Sequence, residues 1–230
     1  MKTIGLLGGM SWESTAGYYR WINEGIKERL GGLHSGKIIL NSVDFAELEK
    51  LQHSGEWQRI GELLADAAHS IEAGGADFLL ICTNTMHKVA DEVAAAIEIP
   101  LLHIADATAG KIIAEGVTKV GLLGTRFTME QSFYCGRLSE NHGIEVLVPD
   151  LLQRQQVHDI IYNELCLGEV NQGSRKTYLH IIDDLAQRGA EAVILGCTEI
   201  GLLVKPDDTA VTLFDTTEIH ARSAVEMALT

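Results

Sequence analysis

The chain has 230 residues, of which 46% are hydrophobic and 22% charged, a balance typical of one or two globular domains and not of a disordered or coiled-coil protein. Its 18 Lys and Arg stand against 32 Asp and Glu, and the net charge of -14 disfavours nucleic acids and anionic membranes as partners. No segment resembles a membrane-spanning helix, which needs ~20 apolar residues, and the first residues do not resemble a signal peptide. An anionic small substrate remains compatible with the composition.

The cysteines argue against a disulfide framework. The chain has four, at Cys82, Cys135, Cys166 and Cys197, and none belongs to a C-x-x-C pair. Four unclustered cysteines in a chain of this length are not typical of a disulfide scaffold or of a zinc site. We therefore expect no metal and a reducing, cytoplasmic location.

Short aliphatic and β-branched runs alternate with longer amphipathic stretches along the whole chain. The predicted strands are, in chain order, Thr3–Leu7, Ile38–Ser42, Phe78–Cys82, Leu101–His103, Lys119–Leu123, Glu145–Val148, Ala192–Leu195 and Val211–Phe214. The predicted helices are Ser14–Arg29, Glu56–Ala73, Lys88–Ala96, Thr108–Ala114, Glu130–Glu140, Gln153–Cys166, Gly173–Gln187 and Thr217–Ala228. Nearly all-apolar strands separated by helices predict an α/β fold with parallel sheets covered on both faces.

An internal repeat predicts two similar lobes. The sequence IGLLGG at residues 4–9 recurs as VGLLGT at 120–125, and AGGADFLLICTNT at 73–85 recurs as AQRGAEAVILGCTE at 186–199. Because two phrases repeat at nearly the same offset, duplication is a better explanation than chance recurrence of a common α/β phrase. We predict a first lobe of residues 1–98 with 210–230 and a second lobe of residues 99–209, each a parallel sheet flanked by helices.

The repeat makes two strand-end tips equivalent, Thr83-Asn84-Thr85 and Cys197-Thr198-Glu199. Ligands of parallel sheets bind beyond the carboxyl ends of the strands, so we expect the tips to face each other across a cleft between the lobes. Each tip is expected to open a helix, whose first N–H groups bind anions. A thiol there would have its pKa lowered from ~8.5 towards neutrality, which favours Cys197 as a reactive thiolate.

Other residues near the tips have plainer alternatives. Cys82 has the register of Gly196, so we expect it to be buried and not reactive. The loop Gly8-Gly9-Met10-Ser11 could approach a ligand closely or form an ordinary tight turn, and it matches no nucleotide-binding motif. His87 could orient a tip residue or lie half-exposed. Cys166 closes a predicted helix and could reach the cleft.

Three segments together resemble the aspartate/glutamate racemase family. They are Gly8-Gly9-Met10-Ser11 with Glu13-Ser14-Thr15, Asn84-Thr85 with His87, and Gly196-Cys197-Thr198-Glu199. The resemblance covers essentially the whole chain. It implies a two-lobed α/β fold, racemisation of an acidic amino acid without a cofactor, and a homodimer. It also implies two cysteines, one per lobe, that act on opposite faces of Cα.

The chain departs from the family pattern at the first tip, where Thr83 stands in place of the first cysteine. A second departure is Cys166, at a position where many relatives have a Lys that meets the side-chain carboxylate. Gln52, in the predicted loop after Val43-Asp44-Phe45, is similar in place to another side-chain-binding position. The resemblance implies that Met10 lies in the substrate-binding loop.

The hypothesis that follows is proton transfer at Cα of L-aspartate or L-glutamate. Cys197 is the base, Thr83 is its partner on the opposite face, and the L-substrate is favoured because an alcohol is a poor base. The amides of Thr198 and Glu199, with Asn84 and Thr85, are expected to hold the α-carboxylate. Three alternatives stay open, namely a single-cysteine decarboxylase of the same fold, a binding protein for an acidic metabolite, and a hydrolase that pairs Cys197 with His87.

Overall fold

Two parallel β-sheets, each packed against helices, organise the computed structural model, which describes all residues from Met1 to Thr230. The chain divides into two units. The first comprises Met1–Ile104 and Thr217–Thr230, and the second comprises Ala105–Thr216. The predicted fold class, α/β with two parallel sheets flanked by helices, is confirmed.

The first unit contains a three-stranded sheet of order β2-β1-β3. Its strands are β1 (Ile4–Gly8), β2 (Ile38–Ser42) and β3 (Phe78–Ile81). Its helices are α1 (Trp12–Leu30), α2 (Phe45–Ser54), α3 (Trp57–Ala73), α4 (Ala90–Ala95), the first residue of α5 (Ile104–Ala114) and nearly all of α11 (Thr216–Leu229), with a 3₁₀ turn at Thr85–Val89. The connections between paired strands contain helices, as parallel pairing requires.

The alternation of side chains along β1 and β3 supplies two hydrophobic clusters, one on each face of the first sheet. Ile4 and Leu6 pack with residues of α1 and α11, including Tyr18 and Ile22. Leu7, on the opposite face, packs in the cluster that holds the apolar residues of α3. Both strands are buried throughout, which explains why they lack the polar alternation of a half-exposed strand.

The second unit contains a four-stranded parallel sheet of order β5-β4-β6-β7. Its strands are β4 (Lys119–Gly124), β5 (Glu145–Leu147), β6 (Ala192–Gly196) and β7 (Thr212–Asp215). Its helices are the rest of α5, α6 (Arg126–Glu130), α7 (Ser132–Gly136), α8 (Leu151–Asn163), α9 (Gln172–Gln187) and α10 (Ile200–Leu203), followed by the first residue of α11. A π-helical turn at Arg137–Asn141 and 3₁₀ turns at Leu165–Leu167 and Pro206–Asp208 complete it.

The internal repeat corresponds to equivalent packing in the two units. A Cβ at Gly5 of β1 would meet Ile71 of α3, and a Cβ at Gly121 of β4 would meet Leu185 of α9. The first strands of the repeats pair in the same register, because Ile4 lies opposite Phe78 and Val120 lies opposite Ala192. Positions 83 and 197, each five residues beyond its opposite residue, are therefore equivalent in the two repeats.

The boundaries of the units differ from the expected 98/99 and 209/210. Residues 99–104 stay with the first unit because Leu101 bridges Leu79 of β3, although the predicted strand Leu101–His103 is reduced to that single bridge. Strand β7 belongs to the second unit because it pairs with β6. Only the C-terminal helix returns to the first unit.

The observed helices differ from the predicted ones in three places. Helix α2 was not predicted; Asp44 caps its start by accepting from the Ala46 N–H, and Gly55 ends it in a left-handed conformation. Gln52 therefore lies in a helix and not in a loop. The predicted helix Glu130–Glu140 is interrupted at Gln131, which is extended with ψ 149°. Cys166 lies outside α8, in the separate 3₁₀ turn.

Candidate active site

The first tip, Thr83-Asn84-Thr85, follows β3 and leads into the 3₁₀ turn Thr85–Val89. Three contacts within the first unit hold the main chain at Cys82, just before the tip, and at Thr83. The Cys82 N–H donates to the Leu7 carbonyl at 2.9 Å, and the Ser14 hydroxyl donates to the Cys82 carbonyl at 3.2 Å. The Thr83 carbonyl lies 2.8 Å from Nδ1 of His87. All three tip residues are buried, with at most 9% exposure.

The loop after β1 is tied to the start of α1. The Ser11 hydroxyl caps the helix by accepting from the Ser14 N–H. The Thr15 hydroxyl donates to the Ser11 carbonyl and accepts from the Gly9 N–H, each at 2.8 Å. Met10 is buried in the hydrophobic cluster on the α3 face of the sheet. The loop is therefore a rigid, internally bonded turn.

We expect Gly9→Ala to lower the free energy of unfolding by at least about 2 kcal/mol. Gly9 has φ +92°, and a Cβ there would overlap the main chain of Val43, so the substitution meets both backbone strain and a clash. Gly17→Ala is the matched control, because Gly17 lies within α1 with no atom near its added Cβ. That control should stabilise by about 0.5–1 kcal/mol. Urea denaturation of the two variants checks the prediction, and equal stabilities would contradict it.

Cys82 is fully buried, as its register in the strand predicts. Its side chain packs in the cluster between the first sheet and helices α1 and α11. Burial raises the pKa of the Cys82 thiol far above its usual range. A thiol in this setting is a poor source of thiolate.

The second tip, Cys197-Thr198-Glu199, joins β6 to the short helix α10. The Cys197 thiol donates to Oε2 of Glu199 at 3.0 Å, and the Thr198 hydroxyl donates to the same oxygen at 2.8 Å. Glu199 is only 3% exposed, so its carboxylate is held among these donors and away from bulk water. The sequence predicted a role for the Glu199 main chain, whereas the structure also brings its carboxylate against the thiol.

The expectation of a lowered Cys197 pKa is wrong. Burial raises the pKa of this thiol well above its usual range, and the negative charge of Glu199 and the neighbouring Cys166 raise it further. The hydrogen bond from the Glu199 main chain opposes this shift and is the smaller effect. Helix α10 has four residues, too few to supply the helix dipole that the sequence argument assumed. Cys197 is therefore a neutral thiol in the free protein.

The two residues predicted to bind the side chain of the substrate, Cys166 and Gln52, belong to different units. Cys166, in the 3₁₀ turn Leu165–Leu167, lies close enough to Cys197 to affect its pKa. Gln52 lies on α2 of the first unit and is 2% exposed. The structure thus brings Cys166, Cys197, Thr198 and Glu199 together in the second unit. Thr83, Asn84, Thr85 and Met10 belong to the first.

Three buried histidines pack together in the first unit. The rings of His87 and His103 are 4.4 Å apart, and those of His87 and His220 are 6.0 Å apart. His220 lies 2.8 Å from both the Tyr18 hydroxyl, at Nδ1, and the Leu102 carbonyl, at Nε2. Since a carbonyl only accepts, Nε2 of His220 is the donor and Nδ1 accepts from Tyr18. Burial, reinforced by His87, lowers the pKa of His220 to about 3.

We predict that His220 makes the fold sensitive to acid. Its pKa falls from the usual 6.5 to about 3 on folding, so the unfolded chain binds one more proton between these values. The contribution of His220 to the free energy of unfolding is therefore fully present above pH 6.5. It decreases by about 1.4 kcal/mol for each pH unit as the pH falls from 6.5 towards 3. Urea denaturation from pH 4 to 7 should show that His220→Gln has the shallower dependence. Identical slopes for wild type and variant would refute the prediction.

The structure contains neither a metal-binding cluster nor a membrane-spanning helix. No group of three or more His, Cys, Asp or Glu side chains is arranged to hold a metal ion. None of the helices combines the length and the apolar character needed to cross a bilayer.

Comparison with known proteins assigns the chain to a family. The family model described as Asp/Glu/hydantoin racemase matches residues 7–224. The chain belongs to the Asp/Glu/hydantoin racemase family. The sequence resemblance to aspartate/glutamate racemases is thereby confirmed, and the chain is an isomerase of the amino-acid racemase class.

Individual racemases of known sequence or structure are similar over most of the chain. A crystal structure of a candidate Asp/Glu racemase from Yersinia pestis is 57% identical, with complete coverage of both chains and a TM-score of 0.94. An aspartate racemase homologue from Pyrococcus horikoshii OT3 is 36% identical, again with complete coverage of both, at a TM-score of 0.86. The broad specificity amino-acid racemase RacX of Bacillus subtilis (strain 168) is 26% identical over 72% of this chain and 71% of its own.

Sequence reasoning missed two supports of the candidate tips. The Glu199 carboxylate was not expected to accept the thiol proton of its neighbour, although a carboxylate two residues from a cysteine is a readable signal. The Ser14 hydroxyl, which holds the first tip from α1, is 68 residues away in sequence and gave no signal.

Proposed function

We propose that this racemase acts on L-aspartate, L-glutamate or both, and that it turns over the L-enantiomer faster than the D-enantiomer. The observation that carries the proposal is the pair formed by the Cys197 thiol and the Glu199 carboxylate, 3.0 Å apart at the end of β6. Two relatives support an acidic substrate, since one is described as a candidate Asp/Glu racemase and the other as an aspartate racemase homologue.

In the proposed reaction, Cys197 removes the Cα proton of the L-substrate. The thiol is neutral in the free protein, so a thiolate must first form. Glu199 is the nearest acceptor, and we propose that the proton moves from Sγ to Oε2 of Glu199 when substrate is bound. The thiolate then takes the proton from Cα and becomes a thiol again, and the electron pair of the C–H bond stays on the substrate. A positioned base of this kind contributes about 10²–10⁴-fold.

The resulting carbanion needs donors for its α-carboxylate. We propose that the main-chain amides of Thr198 and Glu199 act here together with Asn84 and Thr85. Asn84 and Thr85 are buried, with 2% and 7% exposure, so their donors are shielded from bulk water before substrate arrives. Preorganised donors aimed at developing charge are usually the largest catalytic term.

Thr83 is proposed to complete inversion by donating its hydroxyl proton to the opposite face of Cα. Glu199 then releases to solvent the proton that it took from Sγ, and solvent returns a proton to the Thr83 oxygen, which restores the starting state of both residues. The reverse step, removal of the Cα proton of a D-substrate by Thr83, is slow because an alcohol has a pKa far above that of a thiol and its neutral oxygen is weakly basic. This difference between Thr83 and Cys197 is the basis of the proposed L-preference.

Recognition of the substrate is also proposed for Met10, and recognition of its side chain for Gln52 and Cys166. Gln52 is nearly inaccessible in the free protein, so its amide is fixed by its surroundings. Removal of a hydrogen bond to the distal carboxylate should cost about 1.5–3 kcal/mol, which would change the preference between aspartate and glutamate. We also propose a homodimer in the cytoplasm that needs no pyridoxal phosphate or metal.

The proposal is tested by incubating the enzyme with L-Asp, D-Asp, L-Glu or D-Glu and separating the enantiomers by chiral chromatography. One series contains EDTA and no added pyridoxal phosphate. We expect inversion of at least one acidic amino acid both with and without EDTA, and no aldimine absorption band. Activity that is lost with EDTA, or a band that follows turnover, would refute the cofactor-free mechanism. Inversion of neutral amino acids alone would refute the acidic substrate.

A further inference from the structure

The hydrogen bonds of His87 identify its tautomer. The Ile104 N–H donates to Nε2 of His87 at 3.2 Å, so Nε2 is the acceptor. Nδ1 therefore carries the proton of the neutral ring and donates to the Thr83 carbonyl at 2.8 Å. His87 is 3% exposed, and the ring is held from both sides by main-chain groups.

These two bonds connect the first tip to a fixed neighbour. Ile104 follows the segment that bridges β3, where the Leu102 N–H donates to the Leu79 carbonyl at 2.9 Å. The Leu102 carbonyl accepts in turn from His220. The segment behind His87 is therefore anchored independently of the tip. His87 transmits that anchoring to Thr83.

The bond from His87 continues a series of contacts along the main chain that leads into the first tip. The N–H and the carbonyl of Cys82 are held by β1 and α1, and the carbonyl of the next residue, Thr83, is held by Nδ1 of His87. Without the Nδ1 bond, the buried Thr83 carbonyl would lose this donor, and we expect the main chain at Thr83 to shift to recover one, which moves the Cα that carries the Thr83 side chain. Small displacements of a reacting group reduce rates by up to about 10²-fold.

We propose that His87 is a positioning residue, which aims the Thr83 hydroxyl by holding the Thr83 carbonyl from Nδ1. This inference rests on the proposed function, because it concerns the residue that completes inversion. His87 contacts the first tip through the Thr83 carbonyl. Any effect of His87 on the proposed carboxylate donors Asn84 and Thr85 would slow exchange and inversion together, whereas an effect on Thr83 slows inversion alone.

Two substitutions separate the two bonds of the ring. The side-chain amide of Asn reaches about as far as Nδ1, so His87→Asn retains a donor for the Thr83 carbonyl. The longer Gln reaches about as far as Nε2, so His87→Gln retains an acceptor for the Ile104 N–H. Both variants lose the imidazole ring, so a role in packing alone predicts similar defects.

The measurement is the ratio of inversion to Cα–H exchange when the L-substrate is incubated in D₂O. Exchange requires proton removal by Cys197, and inversion also requires Thr83. Both rates are proportional to the amount of folded enzyme, so any loss of folded enzyme cancels in the ratio. We expect His87→Gln to lower this ratio about tenfold and His87→Asn to lower it less. Equal ratios in wild type and both variants, or an equal fall in both, would overturn the proposal.

A second measurement is independent of activity. Side-chain ¹⁵N spectra of the wild-type enzyme should show His87 with its proton on Nδ1, and a proton on Nε2 would overturn the inference. Failure of the proposed function is distinguishable from this, because it would appear as wild-type enzyme that exchanges no Cα–H while the Nδ1–H tautomer is still observed.

Discussion

Replacing Cys197 by serine is expected to reduce turnover of the L-substrate at least about 100-fold, since a positioned acid–base group contributes about 10²–10⁴-fold. Serine would still donate a hydrogen bond to Glu199, so the tip should keep its geometry. Its hydroxyl ionises far less readily than a thiol, so the base is lost. The measurement is kcat with saturating L-substrate, combined with a thermal denaturation curve that shows the variant to be folded.

Cys135→Ser is the matched control in the same unit. The Cys135 thiol donates weakly to the main chain of α6, at 3.6 Å from the Thr128 and Met129 carbonyls. Burial raises the pKa of this thiol to about 11, so it supplies little thiolate near neutrality. The control should retain nearly full turnover. Equal losses at the two cysteines would show that Cys197 is structural.

Installing a thiol at the first tip is expected to relieve the asymmetry between enantiomers. Thr83→Cys should raise kcat with saturating D-substrate about tenfold or more, because a thiol is a far stronger base than an alcohol near neutrality. The equilibrium constant between enantiomers is one, so kcat/KM for inversion must stay equal in the two directions. The change must therefore appear in kcat and KM separately.

Thr83→Ser is the control for this experiment, since it keeps a hydroxyl and removes only a methyl group. We expect its D-direction kcat to stay close to that of the wild type. If Thr83→Cys gives no greater D-direction rate than Thr83→Ser, then the basicity of this residue does not limit turnover. We do not expect Cys82 to replace Thr83 as the base for the D-substrate, because the Cys82 thiol is fully buried and its pKa is raised.

The sheets were predictable because their signals are local. Strand β2 was predicted with its observed bounds, Ile38–Ser42, and the repeated Gly-Ala turns located β3 and β6. The errors fell where the local signal in the sequence is weak. Helix α2 is short and has a weakly apolar face, so its Asp44 and Gly55 caps were the main available signal. The break at Gln131 has no proline or glycine to mark it.

The repeat located the two strand-end tips in the sequence, but it did not predict the electrostatics of Cys197. The position of Cys197 follows from its spacing to Gly189, which equals the spacing between Gly75 and Thr83 in the first repeat. Its pKa depends on burial and on the rotamer that brings Glu199 against Sγ, and neither is encoded in a spacing. The tautomer of His87 likewise depends on Ile104, 17 residues away in the chain.

We propose that Cys197 exchanges the Cα proton of the L-substrate on one face while Thr83 acts only poorly as a base on the other face. It is tested most directly by ¹H NMR of Cα–H loss in D₂O, with pure L- and pure D-substrate at saturation. We predict that Cα–H is lost from the L-form faster than the L-form is inverted, and that the D-form reacts slowly. Comparable exchange and comparable saturated rates from the two enantiomers would contradict the account.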